Sequence, residues 1–202
     1  MKTYMIPVLV IIGLLSGYYF FTQDTPEPLS YKQRLEDHRL ELAYFMRANP
    51  SSPFLKNPIG FTELKFYPVD ETYKVTADFI SIDDINKIDL PTSDGKVRAY
   101  FRYGYLNFSL QGQKQRLLVY KSATPGDNEL FLGFSDPSNG GETYGGGRYL
   151  DINHSGQQKV ILDFNMAYNP YCAYNEEFSC PIPPRENKIS IPVKAGEMAY
   201  IK

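Results

Sequence analysis

Apolar and polar positions divide the chain into stretches with different periods. Tyr4 to Phe21 is uncharged and mostly apolar over 18 residues, the length that reads as a membrane-spanning helix. Residues 22–29 form a short polar, proline-containing spacer. Tyr31, Leu35, Leu42, Phe45 and Met46 then recur at helical spacing, with Arg34, Glu36, Asp37 and Arg39 mostly elsewhere. Ser30 with Gln33 forms a capping-box pattern that opens this helix, and Asn49-Pro50-Ser51-Ser52-Pro53 stops it. The helix is expected to pack across the mouth or side of the domain that follows.

From Glu63 the period becomes two. Leu64–Tyr67 and Tyr73–Ala77 read as strands joined by a turn over Pro68–Glu71. After a polar loop from Asp83 to Gly95, Val97–Tyr103 and Tyr105–Leu110 alternate, and Gln111-Gly112-Gln113 turns the chain into Leu117–Lys121. Later strands are expected at Leu130–Phe134, Arg148–Ile152, Val160–Phe164, Lys188–Val193 and Met198–Ile201, with Pro192 suggesting an edge. Many short strands with glycine or proline turns indicate a mainly β fold, an antiparallel β-sandwich or barrel-like domain. The expected organisation is a transmembrane anchor over 1–21, a linker over 22–29, and one domain over 30–202 that begins with the amphipathic helix.

Charge changes the picture in two ways. A net charge of −2, without a run of Lys and Arg, argues against binding nucleic acid, which needs a concentrated basic face. Lys2 precedes the apolar segment while Asp24 and Glu27 follow it, so the positive-inside bias places the bulk of the chain on the extracytoplasmic side, with the membrane as a partner through residues 4–21. Ser16-Gly17 offers a poor cut site and Tyr18–Phe21 continues the apolar stretch, which favours a retained anchor over a cleaved signal peptide. Cys172 and Cys180 stand eight positions apart. A structural disulfide is the first expectation in an oxidising compartment, and free thiols remain open because sequence does not give the Cα separation. Zinc is disfavoured by that spacing and by His38 and His154 lying at unrelated places, so no metal and no cofactor is expected.

Candidate chemistry concentrates in two long segments, Asp136–Gly147 and Asn165–Pro184, rich in polar and aromatic residues. Gly145-Gly146-Gly147 permits positive φ, and Arg148 beside it offers a guanidinium to a carboxylate or phosphate, or pairs internally with Asp151, Asp163 or Glu142. Gly133-Phe134-Ser135-Asp136-Pro137 lacks the final glycine and following helix of a nucleophile elbow. The run from Asp136 lacks the closing glutamate of a calcium loop, and no phosphate-loop or dinucleotide fingerprint is present. His154 reads as a solvated turn residue. Glu142, Asp151, Asp163 and Glu186 allow a two-carboxylate hydrolase reading.

The strings Gly147-Arg148-Tyr149-Leu150-Asp151, Asp163-Phe164-Asn165, Ala167-Tyr168-Asn169-Pro170-Tyr171-Cys172-Ala173-Tyr174, Cys180-Pro181-Ile182-Pro183-Pro184-Arg185-Glu186-Asn187 and Ala195-Gly196-Glu197 carry a family resemblance. The chain resembles the uncharacterised prokaryotic family catalogued as domain of unknown function 1684, densely over residues 130–200 and more loosely back to residue 30. That family brings no activity or cofactor with it. The resemblance implies that the two loops act as one unit.

The reading is therefore an envelope-anchored binding module for a small polar ligand, a saccharide or peptide. The candidate ligand-binding residues are Glu142, Arg148, Tyr149, Asn165, Tyr168, Asn169, Tyr171, Tyr174, Glu186 and Asn187. Asn amides bond sugar hydroxyls or backbone, and Tyr rings stack on pyranose faces. The rival readings are a hydrolase or lyase using loop carboxylates, and a structural protein in which the same residues brace the loops.

Overall fold

The computed structural model describes residues 29–55, 60–83, 86–126 and 130–201. Two compact units meet in sequence at Arg34 and Leu35. The described part of the first, residues 29–34, carries the helix cap: Ser30 N–H donates to Gln33 Oε1 at 2.9 Å and Gln33 N–H to Ser30 Oγ at 3.2 Å. This is the reciprocal box that the sequence pattern predicts. The helix α1 spans Tyr31–Ala48. Within the second unit, Leu35 and Met46 are buried and Leu40 and Tyr44 are exposed. Met46 packs with Phe54, Leu64 and Tyr174 in a small core of its own.

One part of the expected fold class is corrected. Among the described residues no helix is long and apolar enough to cross a membrane. The apolar segment on which that expectation rested, residues 4–21, lies outside the described residues. The fold as described is mainly β, with antiparallel sheets and one α-helix.

Six strands make the large sheet: β1 (Lys74–Ser81), β2 (Lys87–Pro91), β3 (Val97–Leu110), β4 (Gln113–Ser122), β5 (Leu130–Phe131) and β8 (Lys159–Asp163). Their order is β5-β4-β3-β1-β8, all antiparallel, with β2 also on β3. One edge of β3 takes β2 along Val97–Phe101 and β1 along Gly104–Asn107. The polar stretch expected as a loop thus contains β2. β6 (Gly133–Phe134) and β7 (Arg148–Tyr149) form a separate ribbon. Gln111 and Gly112 both have positive φ, the two-residue turn whose twist suits a β3–β4 hairpin.

The two alternating stretches expected on either side of Gly104 are one strand with a bulge. Register slips by one residue between Arg102 and Gly104. An extra residue moves every later side chain to the other face, so Tyr100 and Tyr105 share a face although their parity differs. Gly104 is required there because a Cβ would meet the Phe79 ring at 2.2 Å and the Ile80 carbonyl oxygen at 3.0 Å.

Both sheet faces are covered. Leu106, Phe108, Leu110, Leu117 and Val119 face the main core with Phe134, Phe164, Ile189 and Val193. Leu90, Tyr100, Leu118 and Tyr120 form a smaller cluster on the other side. The layer over the main core is not a second full sheet, because Lys188–Val193 and Met198–Ile201 form no strands, and Leu64–Tyr67 keeps only a bridge from Phe66 to Glu197. Ile189, Ile191 and Val193 do alternate inward. Their backbone partners, however, include side chains: Ser190 N–H donates to Gln115 Oε1 at 3.2 Å and Val193 N–H to Asp136 Oδ1 at 3.1 Å.

Candidate functional site

Five of the ten expected ligand residues are buried braces. Arg148 is fully buried, and its guanidinium donates to the carbonyls of Val193 (2.7 Å), Ala195 (2.5 Å) and Glu197 (3.2 Å) and to Asp136 Oδ2 (3.1 Å). Burial draws that guanidinium below its ordinary pKa, and the Asp136 carboxylate opposes the shift. Asn187 Nδ2 donates to the Leu118 and Gly133 carbonyls at 2.8 and 2.9 Å, while its Oδ1 accepts from Leu118 N–H at 2.7 Å. Asn165 holds both backbone groups of Asp70, accepting at 3.0 Å and donating at 2.8 Å. Asn169 Nδ2 donates to the Met198 carbonyl at 2.8 Å, and its N–H donates to Glu197 Oε2 at 3.0 Å. The buried Tyr174 hydroxyl donates to Glu197 Oε1 at 2.5 Å. Desolvation raises the Glu197 carboxyl to about 7.

Three more are scattered. Glu142 pairs with Lys194 at 3.1 Å and accepts from the Tyr67 hydroxyl at 3.2 Å. Glu186 accepts from Tyr120 at 2.7 Å and Arg102 at 3.2 Å beside a pocket of about 210 Å³ shared with Tyr105 and Arg116. Tyr171 is half-buried, edge-on to Phe178 at 5.2 Å.

Tyr149 and Tyr168 alone among the ten line a cleft of about 690 Å³. A two-way backbone bridge fixes them opposite one another: Tyr149 N–H to Tyr168 O at 2.9 Å, and Tyr168 N–H to Tyr149 O at 3.0 Å. Their rings meet edge to face at 5.9 Å. Tyr149 touches Phe131 at 4.8 Å, and Phe131 touches Tyr100 at 5.4 Å, so four rings run in succession along the cleft. Burial pushes the Tyr149 hydroxyl far above its usual pKa, and it donates to the Pro181 carbonyl at 2.5 Å. The Tyr168 hydroxyl donates to Asp151 Oδ1 at 2.7 Å. Arg98 adds a cation, anchored by the Ser179 carbonyl at 3.0 Å.

His154 also lines the cleft and is not the solvated turn residue expected from its neighbours. Its ring stacks on Phe79 at 3.9 Å. Nε2 lies 3.0 Å from the Gln157 carbonyl, which only accepts, so Nε2 carries a proton, and Nδ1 lies 2.9 Å from the Tyr103 hydroxyl.

The expected disulfide is corrected too, since Cys172 and Cys180 are both free thiols. They are nonetheless neighbours: Cys172 N–H donates to Cys180 Sγ at 3.2 Å. Among the described residues no group of three or more His, Cys, Asp or Glu could hold a metal ion.

Both the braces and the cleft fall within a stretch of known kinship. Residues 59–198 match the family described as Protein of unknown function (DUF1684). The chain belongs to the DUF1684 family. An uncharacterised protein of Haloarcula marismortui, whose structure was solved in solution by NMR, is 32% identical over 83% of this chain and 94% of its own, with a TM-score of 0.65. No curated protein matches. The residues matched to DUF1684 include every brace and every side chain lining the large cleft.

Within this DUF1684 chain, Arg98, Tyr100 and Phe131 are cleft residues that the sequence reading missed. They come from β3 and β5, outside the two loops. The signal that could have found Tyr100 was its alternation in β3. Parity alone would set it opposite Tyr105, because the extra residue between Arg102 and Gly104 is not visible in the alternation.

Proposed function

We propose that this chain is a binding module for a small polar ligand of the saccharide class, held in the Tyr149–Tyr168 cleft. The observation that carries the reading is the run of four aromatic rings along a cleft that also presents Arg98, Asp151 and Asn153. A pyranose has C–H faces that pack on aromatic rings and hydroxyl edges that bond to amides, carboxylates and guanidinium groups. A volume of about 690 Å³ falls within the range of small-molecule sites.

Paired-carboxylate cleavage draws less support. Among the described residues Asp151 is the one carboxylate lining this cleft, whereas Glu142 and Glu186 are engaged elsewhere. The saccharide reading draws on the rings and needs no second acid.

The test is a broad glycan array followed by calorimetry on the hits, with a peptide panel alongside. Binding that weakens at least about tenfold in Tyr168→Ala, with the fold intact, supports the reading; the loss of an aromatic contact of about 1.4 kcal/mol produces such a change. Binding of peptides but no glycan, or binding indifferent to both Tyr149 and Tyr168, overturns it.

A further inference from the structure

The two thiols lie outside the cleft chemistry, and their surroundings are asymmetric. Both ends of the 172–180 loop are pinned without a bridge between them. Tyr171–Ala173 forms a 3₁₀ turn, and Ala173 N–H donates to Pro170 O at 2.9 Å. Asn175 Nδ2 donates to the Pro53 carbonyl at 3.1 Å. The Cys180 backbone is tied to Ser93 in both directions, its N–H donating to Ser93 Oγ at 3.1 Å and its carbonyl accepting from Ser93 N–H at 2.9 Å. The fold therefore holds the two cysteines side by side as free thiols, with the Cys172 N–H on Cys180 Sγ at 3.2 Å.

We propose that Cys172 and Cys180 form a redox-active dithiol that exchanges with low-molecular-weight disulfides, Cys172 attacking and Cys180 resolving. The Tyr144 hydroxyl lies 3.7 Å from Cys172 Sγ. Hydrogen bonding from Cys180, with smaller contributions from Ser93 and Tyr144, lowers the Cys172 thiol to about 6, and the same pairing with Cys172 raises the Cys180 thiol. A thiolate is the nucleophile in exchange, and the Tyr144 hydroxyl within reach of Cys172 Sγ supports the thiolate on that sulfur, the direction the two shifts share.

The steps balance. Cys172 thiolate attacks one sulfur of the small disulfide; its S–S bond breaks, and one small thiolate leaves and takes up a proton. Cys180, as its thiolate, then attacks Cys172 Sγ in the mixed disulfide and expels the second small thiolate. Two protein thiols are oxidised and one small disulfide is reduced to two thiols. Each cysteine residue is only 8% exposed, so exchange proceeds through local opening of the 172–180 loop.

The experiment uses the reduced full chain and oxidised glutathione, from about pH 5 to about pH 8, with acid quenching, alkylation in denaturant and intact-mass measurement. The expected result is the loss of two hydrogens with both sulfurs protected, at a rate that rises with pH as thiolate forms. Cys180→Ser should hold one stable glutathione adduct, and Cys172→Ser should react at least about tenfold more slowly than wild type. Wild-type protein whose cysteines stay alkylatable overturns the proposal, as does wild type that accumulates glutathione adducts without bridging. Both of these outcomes are read on the wild-type chain and do not depend on how the variants fold.

Discussion

Arg148 and Asp136 meet at 3.1 Å with both side chains wholly shielded from solvent. Asp136 turns its other oxygen to Val193 N–H, and Arg148 takes the carbonyls of Val193, Ala195 and Glu197. Two side chains thus do for the C-terminal segment what a neighbouring strand does in a sheet. Each of the two groups is hydrogen-bonded as well as paired, which offsets the cost of burying it.

Removing one member leaves the other buried and uncompensated. Arg148→Met is expected to lower stability by about 3–5 kcal/mol, with Asp136→Asn in the same direction. Urea denaturation at neutral pH measures this. A loss below about 1 kcal/mol would mean that the segment is held by apolar packing alone.

Asn187 closes three backbone groups with one side chain. Asn187→Ala strands the Leu118 N–H and two carbonyls in the core, for an expected loss of about 3 kcal/mol. The same denaturation series reads it, and a stable variant would show that water replaces the amide.

Glu197 makes a pH signature. Its folded pKa of about 7 lies above the ordinary 4.5, with desolvation the largest cause. Below about pH 4.5 the carboxyl is protonated whether the chain is folded or not, and this contribution to stability is fully present. As pH rises the unfolded chain ionises first, so the contribution drains away and levels off above about pH 7. The full change is about 3 kcal/mol, at about 1.4 kcal/mol for each pKa unit. Glu197→Gln is expected to remove this component from the pH–stability curve, and an unchanged curve would assign Glu197 an ordinary pKa.

Gly147 has φ +85°, and a Cβ there would meet the Phe134 carbonyl oxygen and Pro183 Cγ, each at 2.7 Å. Gly147→Ala should cost at least about 1 kcal/mol from the left-handed backbone alone, and more from these contacts. Thermal denaturation checks it; an unshifted midpoint would mean that the backbone relaxes freely.

Where local chemistry decides structure, the sequence was legible. Ser30 and Gln33 announced their own cap, and Leu106, Phe108 and Leu110 announced their face. Period-two alternation at Ile189, Ile191 and Val193 was also real, but it does not say whether the backbone partner is a strand or the side chains of Gln115 and Asp136. The ten candidate residues divided on the same ground. Asn, Arg and Tyr suit a ligand and a buried carbonyl equally well, and only tertiary position separated Asn187 or Arg148 from Tyr168. Arg98 and Phe131 reach the cleft through strand pairing across the large sheet, which no local pattern encodes.

The most direct measurement is a saccharide titration followed by aromatic and amide NMR, which reports each residue separately. The shifts are expected to concentrate at Tyr100, Phe131, Tyr149, Tyr168 and Asp151 while Arg148, Asn169 and Asn187 stay fixed. Shifts centred instead on Glu142 or on the Glu186–Arg116 pocket, or none across a broad panel, would contradict the assignment of the aromatic cleft as the binding site.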